Sequence, residues 1–310
     1  MRRFFLTILA FFASTQVFVS TQTFGQESEY TGLKSPVNHS LKVFLDPVAR
    51  TINVEDTISL PTALRGNSVL FELNSNLAIT ESSGELLQIS SNSVDPNSGL
   101  NVAGGLPART TLYSLSSDDN DQFRLVYSGS IYDIAEQTSE EYAQSFSETS
   151  GIIGEQGVYL NYGSAWFPIL GDSLVTFDLE VKFSSNASTW KAVSQGDRNG
   201  GNAWINRDPM EEIYLIAADF TEYSVLSGDV EVLAYLRTPD SNLATKYMDA
   251  TERYLNLYEP MLGEYPYSKF ALVENFWETG YGMPSFTLLG EQIIRFPFIL
   301  ESSYPHEILH

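Results

Sequence analysis

Cysteine is absent from the 310-residue sequence, which excludes disulfides, thiolate nucleophiles and cysteine-based zinc sites. Histidine is scarce, at three residues, so any metal site must combine these few imidazoles with carboxylates. Basic charge is also low, with 17 Lys and Arg against 39 Asp and Glu, and the net charge of −22 argues against nucleic acid or anionic lipid as a partner. A composition of 43% hydrophobic and 18% charged residues is typical of a globular protein, and the length of 310 residues predicts two domains.

The N-terminus has the layout of a secretory signal. Arg2 and Arg3 precede an apolar run at 4–12, and small and polar residues follow it. The alternative is a membrane anchor, but the run is shorter than the roughly 20 residues that cross a bilayer. We therefore expect a signal peptide over residues 1–25, and an exported, periplasmic or extracellular product without stable membrane insertion after cleavage.

Residues 26–225 form the first predicted domain. Alternation of apolar and polar residues is clearest at 174–183, where Val175, Phe177 and Leu179 share one face. Further strands are predicted at 41–45, 51–60, 69–73, 123–127 and 213–218. Such short strands favour a mainly β domain, an antiparallel sandwich or saddle. The segment 133–149 is expected to be an exposed excursion with a short helix.

A second domain, of mixed α/β type, is predicted over residues 226–310. After a strand at 230–236, an apolar stripe recurs at helical spacing, and Asp240 or Ser241 can cap its start. The stripe consists of Leu243, Tyr247, Tyr254, Tyr258 and Leu262. Strands are predicted at 270–273 and 286–289. About 85 residues are few for such a domain, so we expect the chain to be the first part of a longer protein.

The last five residues carry the most specific motif, His306-Glu307-Ile308-Leu309-His310. On a helix the two histidines lie one turn apart on one face and can share a zinc ion, while Glu307 can take a proton from a water molecule that attacks a carbonyl carbon. The alternative is a surface helix with two ordinary histidines. A catalytic zinc site has three protein ligands, and spacing alone does not say which residue is the third. Other divalent metals also accept these ligands.

Three segments, at 41–47, 164–168 and 273–290, resemble the aminopeptidase N-like gluzincin family of zinc metallopeptidases, in particular a bacterial exported branch. The resemblance implies a β domain that caps a thermolysin-like catalytic domain. It also implies that His306 and His310 are zinc ligands and that Glu307 is the general base. In that family the third ligand and a transition-state tyrosine lie further along the chain, so the 310 residues alone are expected to lack activity.

The family resemblance also indicates a substrate cleft, but with one departure. Where family aminopeptidases carry the glutamate that holds a free α-amine, this sequence has Pro284, which leaves exopeptidase and endopeptidase action open. Glu274 or Glu278 are alternative sources of that charge, or ordinary carboxylates. The predicted substrate-binding residues are Gly280, Gly282, Met283, Pro284, Ser285 and Tyr159.

Two functions remain open at this point. One is an exported zinc-dependent peptidase that acts on a peptide or protein substrate, and the resemblance implies that it is aminopeptidase-like. The other is a secreted β-domain protein that binds peptide or glycan without chemistry. The aromatic residues Phe276, Trp277, Tyr281 and Phe286 can line a cleft or pack the seam between domains, and aromatic residues are mostly core material. His39, isolated near the first strand, is predicted to be a surface or packing residue.

Overall fold

The computed structural model describes residues 35–65, 68–92, 108–116, 121–134 and 149–309. The predicted signal peptide, most of the excursion predicted at 133–149, and His310 lie outside these residues. The described residues from Ser35 onward belong to one compact unit. The boundary at residue 226 stays a prediction. In this described part, no helix has both the length and the apolar character needed to cross a membrane.

The first half of the described chain consists of strands and short 3-10 turns. In chain order, the strands are β1 (Val37–Asp46), β2 (Thr51–Ser59), β3 (Val69–Asn74), β4 (Leu77–Ser82), β5 (Leu86–Asn92), β6 (Thr110–Leu115), β7 (Gln122–Ser130), β8 (Ile152–Gly154), β9 (Gly157–Leu160), β10 (Val175–Phe183), β11 (Lys191–Val193), β12 (Asp197–Arg198), β13 (Ala203–Met210) and β14 (Leu215–Ala218).

The remaining elements are the strands β15 (Thr221–Ser227) and β16 (Val230–Leu236), the helix α1 (Ser241–Leu262), the strands β17 (Lys269–Asn275), β18 (Gly280–Met283) and β19 (Phe286–Gly290), and the short helix α2 (Ser303–Ile308). Two 3-10 turns, Ile293–Arg295 and Ile299–Glu301, lie between β19 and α2. The structure is therefore mainly β, with one long helix.

Three sheets occupy the region before residue 220. The largest has the order β12-β13-β10-β1-β2-β7-β4, and two smaller sheets have the orders β11-β14-β9-β8 and β3-β6-β5. The alternation predicted at 174–183 is confirmed, because Phe177, Leu179 and Val181 are buried while Glu180 is exposed. The expectation of a purely antiparallel domain was wrong in one place, since β1 and β10 run parallel. A parallel pair needs a long connection between its strands, and here the whole of β2 to β9 supplies it.

A five-stranded sheet with the order β15-β16-β17-β19-β18 follows. The pairs β16–β17 and β17–β19 are parallel, and all seven residues of β17 are buried, as is typical of parallel strands covered on both faces. The predicted helix is confirmed as α1, with the Asp240 side chain accepting a hydrogen bond from the Leu243 backbone N–H at 2.9 Å. This sheet and α1 carry the elements that hold the candidate site.

Candidate active site

The tyrosine stripe of α1 holds the chain that leads into α2. Tyr304 is fully buried, its hydroxyl lies 2.5 Å from Thr251 Oγ1, and its ring packs edge-on against Tyr247 with centroids 4.8 Å apart. The Tyr258 hydroxyl donates to the Pro305 carbonyl at 3.0 Å, and the Tyr254 hydroxyl donates to the Leu300 carbonyl at 2.7 Å. The helical periodicity of the sequence therefore places one face of α1 where it fixes the start of α2.

The motif residues that the structure describes lie on α2. His306 is exposed, and Glu307 is buried, with 9% of its surface accessible. The His306 carbonyl accepts a hydrogen bond from the Leu309 N–H at 3.0 Å, which closes the last turn. His310 lies outside the described residues. Within the described part of the chain, no three His, Asp or Glu side chains form a group that could hold a metal ion.

The strand β18 contains the predicted substrate-binding residues Gly280, Gly282 and Met283, and it is one of the two edge strands of its sheet in the described part of the chain. It pairs antiparallel with β19 on one side, and α2 packs close to it. A Cβ atom built on Gly280 would meet only the Leu289 side chain, at 3.8 Å, which is an ordinary contact. The fold itself therefore leaves room for a side chain at Gly280.

Tyr159 reaches this strand from the first half of the chain. It lies on β9, is 2% exposed, and packs edge-on against Trp277 with centroids 5.1 Å apart. Its ring also lies 6.3 Å from that of Tyr281 on β18, and its hydroxyl accepts a hydrogen bond from Asn161 Nδ2 at 3.1 Å. The structure thus brings Tyr159 beside the predicted cleft residues, although more than 100 residues separate them in sequence.

Aromatic residues after β17 form the seam between β9 and the five-stranded sheet. Phe276 packs so closely on Gly157 that a Cβ there would lie 2.3 Å from its ring, so this position requires glycine. Phe276 and Trp277 also line a cleft of about 550 Å³, together with Arg50 and Tyr132. Phe276 and Trp277 therefore pack the seam and also line this cleft, but none of the predicted substrate-binding residues lines it.

Both carboxylates considered as anchors for a free amine have internal partners. Glu274 is fully buried, with one oxygen 2.7 Å from the Arg237 backbone N–H and the other 2.7 Å from Arg295 Nη1. The Glu278 carboxylate accepts hydrogen bonds from the backbone N–H groups of Gln292, at 3.0 Å, and Ile293, at 3.3 Å. These contacts favour the interpretation of both residues as structural carboxylates.

Ser285, predicted to bind substrate, points into the core instead of the cleft. It is 2% exposed, and its hydroxyl lies 2.7 Å from Nζ of Lys269, which is itself 1% exposed. Burial lowers the pKa of Lys269 to about 7. Pro284, the other residue of this turn, joins β18 to β19.

A second polar group, which no sequence pattern predicted, lies beside this region. The Tyr214 hydroxyl donates to Glu212 Oε1 at 2.5 Å, and the Tyr162 backbone N–H donates to Glu212 Oε2 at 2.9 Å. Burial raises the pKa of the Glu212 carboxyl, and burial together with the neighbouring Glu212 raises the pKa of Tyr214. The Tyr214 ring packs against Phe286 with centroids 5.9 Å apart. Glu211-Glu212 has no pattern in the sequence that separates it from surface carboxylates.

Comparisons with solved structures identify the fold. The chain is similar to an M1 zinc metallopeptidase from Deinococcus radiodurans, solved as a mutant bound to a Tyr-Ser-Ala substrate, with a TM-score of 0.54 and 11% identity over 88% of this chain and 64% of that one. It is also similar to yeast LTA4 hydrolase, native (TM-score 0.57, 13% identity) and in complex with bestatin (TM-score 0.59, 12% identity), over 88% of this chain and 43% of each of those.

At these identities the likeness shows a shared fold, that of the N-terminal region of M1 peptidases. This chain spans less than two thirds of each solved chain, at 64% and 43% of their lengths. No family model matches the sequence, and no curated protein matches it.

Proposed function

We propose that this chain belongs to an exported zinc-dependent metallopeptidase that hydrolyses peptide bonds, with residues 226–310 contributing the first part of a thermolysin-like catalytic domain. The observation that carries the proposal is the position of the motif His306-Glu307 on α2, next to the open edge strand β18, in a fold shared with M1 peptidases. A helix with two histidines elsewhere on a β protein would not combine these features.

Zinc fits the donor chemistry of the motif. His306 offers an exposed imidazole on the helix, and imidazole is a preferred zinc ligand. His306 and His310 would hold the ion, with a third ligand from elsewhere in the whole protein. When bound, the zinc ion would supply Lewis acidity, which favours ionisation of water and polarises a carbonyl group.

The chain's own residues have separate duties in this proposal. Glu307 follows His306 directly, and its largely buried carboxylate is the group that would take the proton of the attacking water and deliver it to the leaving amine. The edge strand β18 would bind the substrate backbone as an added strand. Tyr159, Trp277 and Tyr281 would supply an apolar wall beside that strand.

Substrate choice is the open part of this function. Pro284 occupies the turn after β18, and the carboxylates of Glu274 and Glu278 are engaged with backbone and arginine donors. A substrate with a free α-amine would therefore need a different anchor. Cleavage from the amino end and internal cleavage are separate outcomes of the test below.

The test uses the whole protein and compares wild type with Glu307→Gln. We measure zinc content and the hydrolysis of two peptides of the same sequence, one with a free amino terminus and one acetylated. Loss of the general base should lower kcat by about 10²–10⁴-fold without loss of zinc, because Glu307 is not a ligand in this proposal. The control is Glu252→Gln, the same change on the exposed part of α1.

Each result has a definite meaning. Activity on the free-amine peptide alone would indicate an aminopeptidase, and activity on both would indicate internal cleavage. If wild type holds no zinc and hydrolyses neither peptide, the peptidase proposal is wrong. The alternative, a secreted protein that binds peptide or glycan without chemistry, would then be the better account.

A further inference from the structure

The turn between β18 and β19 has an unusual backbone conformation. Met283 pairs with Phe286, so the turn consists of Pro284 and Ser285 alone. Ser285 has φ of 68°, in the left-handed region, where turns with proline at the first central position normally carry glycine or asparagine at the second. A serine in this conformation is strained, and it persists only where the surroundings hold it.

Two residues of β17 hold Ser285 in place. Lys269 Nζ donates to the Ser285 hydroxyl at 2.7 Å and to its carbonyl at 3.3 Å, and the Ala271 backbone N–H donates to the same carbonyl at 3.1 Å. The side chain and the carbonyl of Ser285 are therefore both fixed from the neighbouring part of the sheet. The contact spans 16 residues of sequence and joins β17 to the far end of the hairpin.

Burial of Lys269 is costly, which argues for a specific purpose. The amine lies 5.0 Å over the Trp204 ring and 5.5 Å over the Phe286 ring. Apolar surroundings disfavour its charged form, and the charged groups that act on it are Asp197, Arg198 and Glu231. An apolar side chain of similar length would fill the same space without this cost, but it could not hold Ser285.

We propose that Lys269 is a positioning residue for the candidate site, which holds Ser285 in its left-handed conformation and so aligns the open edge of β18 for a peptide backbone. This role rests on the proposed function, because β18 is the strand that would bind substrate. The direct contact is between Lys269 and the turn, and the effect on a substrate passes through the β18–β19 hairpin.

Lys269 can either fill the core or hold this turn, and the two roles predict different results when it is replaced. If Lys269 only fills the core, its loss should lower stability throughout the fold, and a change at Ser285 should not repair it. If it holds the turn, glycine at position 285 should repair the loss, because glycine adopts positive φ without support from a side chain. Rescue by Ser285→Gly therefore separates the two roles.

The experiment measures backbone hydrogen exchange of the peptides that cover residues 280–290, where local opening raises the exchange rate. Four variants are compared with wild type: Lys269→Met, Ser285→Gly, the double variant, and Lys182→Met as a control at a lysine that is 71% exposed. We expect exchange in 280–290 to rise at least tenfold in Lys269→Met and to return to within about threefold of wild type in the double variant. Elsewhere, exchange should change much less.

The same variants are then assayed for peptide hydrolysis in the whole protein. Lys269→Met should raise KM more than it lowers kcat, and the double variant should restore KM. Unchanged exchange in Lys269→Met, a rise of equal size throughout the fold, or absence of rescue by Ser285→Gly would overturn the proposal. If Lys269→Met does not fold, folding of the double variant supports the proposal, and failure of both overturns it.

Exchange and hydrolysis also separate this proposal from the proposed function. Hydrogen exchange requires no activity, so the contact between Lys269 and the turn is tested even if wild type hydrolyses no peptide. Conversely, an active wild type in which Lys269→Met leaves both exchange and KM unchanged would keep the peptidase proposal and remove the positioning role.

Discussion

Buried polar side chains occur in both halves of the fold, but they are arranged differently. In the first sheet, His39 Nδ1 lies 2.8 Å from Asp56 Oδ2, and both residues are fully buried. His39 Nε2, Asp56 Oδ1 and the Tyr127 hydroxyl have no hydrogen-bond partner among the described residues. In the five-stranded sheet, both oxygens of Glu274 accept hydrogen bonds and Lys269 Nζ donates to Ser285, but the Asn275 side-chain amide on β17 has no hydrogen-bond partner among the described residues.

The contacts also span different parts of the structure. His39 and Asp56 lie on β1 and β2, which the backbone already pairs, so their contact adds stability without fixing a new element. Glu274 joins β17 to the end of β16 and to the turn at Arg295, and Lys269 joins β17 to the β18–β19 turn. Buried polar groups near the candidate site therefore position elements that the sheet alone does not fix.

The largest expected effect on stability follows from a change in the buried pair of His39 and Asp56. His39→Leu should lower the free energy of unfolding by about 3–5 kcal/mol at pH 7, because Asp56 is left as a buried carboxylate without its partner. Exchange at residues 280–290 should rise no more than exchange in the rest of the fold. Urea unfolding and hydrogen exchange measure the two quantities, and a selective rise at 280–290 would contradict the comparison.

The effect of His39→Leu should also depend on pH. Burial raises the pKa of Asp56, and His39 acts against this rise. A carboxyl whose pKa is higher in the folded than in the unfolded protein makes its full contribution to stability at pH values below the unfolded pKa. This contribution is lost as the pH rises through the folded pKa. Without His39 the pKa rises further, so the difference from wild type should be greatest near pH 7 and smaller near pH 4.

Glu274→Ala should lose less stability than His39→Leu, but it should cause a larger local rise in hydrogen exchange. The Arg237 N–H loses its acceptor, and Arg295, which is partly exposed, can regain water, so we expect a loss of about 2–3 kcal/mol. Exchange should rise most around β17 and the turn at Arg295. Glu274→Gln, which keeps an acceptor, is the matched variant and should lose less, whereas equal losses would show that the hydrogen bonds are unimportant.

The smallest effect is expected for Tyr304→Phe. It removes the hydrogen bond to Thr251, whose own hydroxyl still lies 2.8 Å from the Tyr247 carbonyl. The loss should be about 1 kcal/mol, since the aromatic ring and its packing remain. Thermal unfolding measures it, and a loss above about 3 kcal/mol would mean that the hydroxyl does more than join α1 to α2.

Sequence periodicity predicted the elements with strong patterns. The strand at 174–183 and the helix α1 are confirmed, because alternation and helical spacing each follow from one buried face. The strands β4, β5, β6, β8, β9, β11, β12, β13, β15 and β18 were missed. Several of these are short, and β5 and β6 begin or end beside segments rich in Gly, Asn and Ser, where local pattern is weak.

The residues of the candidate site also differ in how far local sequence indicates them. Local spacing indicated the motif at His306 and Glu307, whose role stays a prediction, whereas no local pattern predicted that Gly280 lies on a strand. The role of Ser285 was not predictable, because its core orientation depends on Lys269, 16 residues earlier. The contact of Glu212 with Tyr162 was likewise not predictable, since these two residues meet only when β9 and β14 pair.

The sequence by itself determined the acidic composition, the exclusion of cysteine chemistry, the long helix and the order of a β region before a mixed sheet. Each of these depends on composition or on local periodicity. Only the tertiary structure decided which buried polar groups meet, that β18 is an edge strand, and that Tyr159 lies beside it. These depend on contacts between distant segments, and no local pattern records which strands will be neighbours.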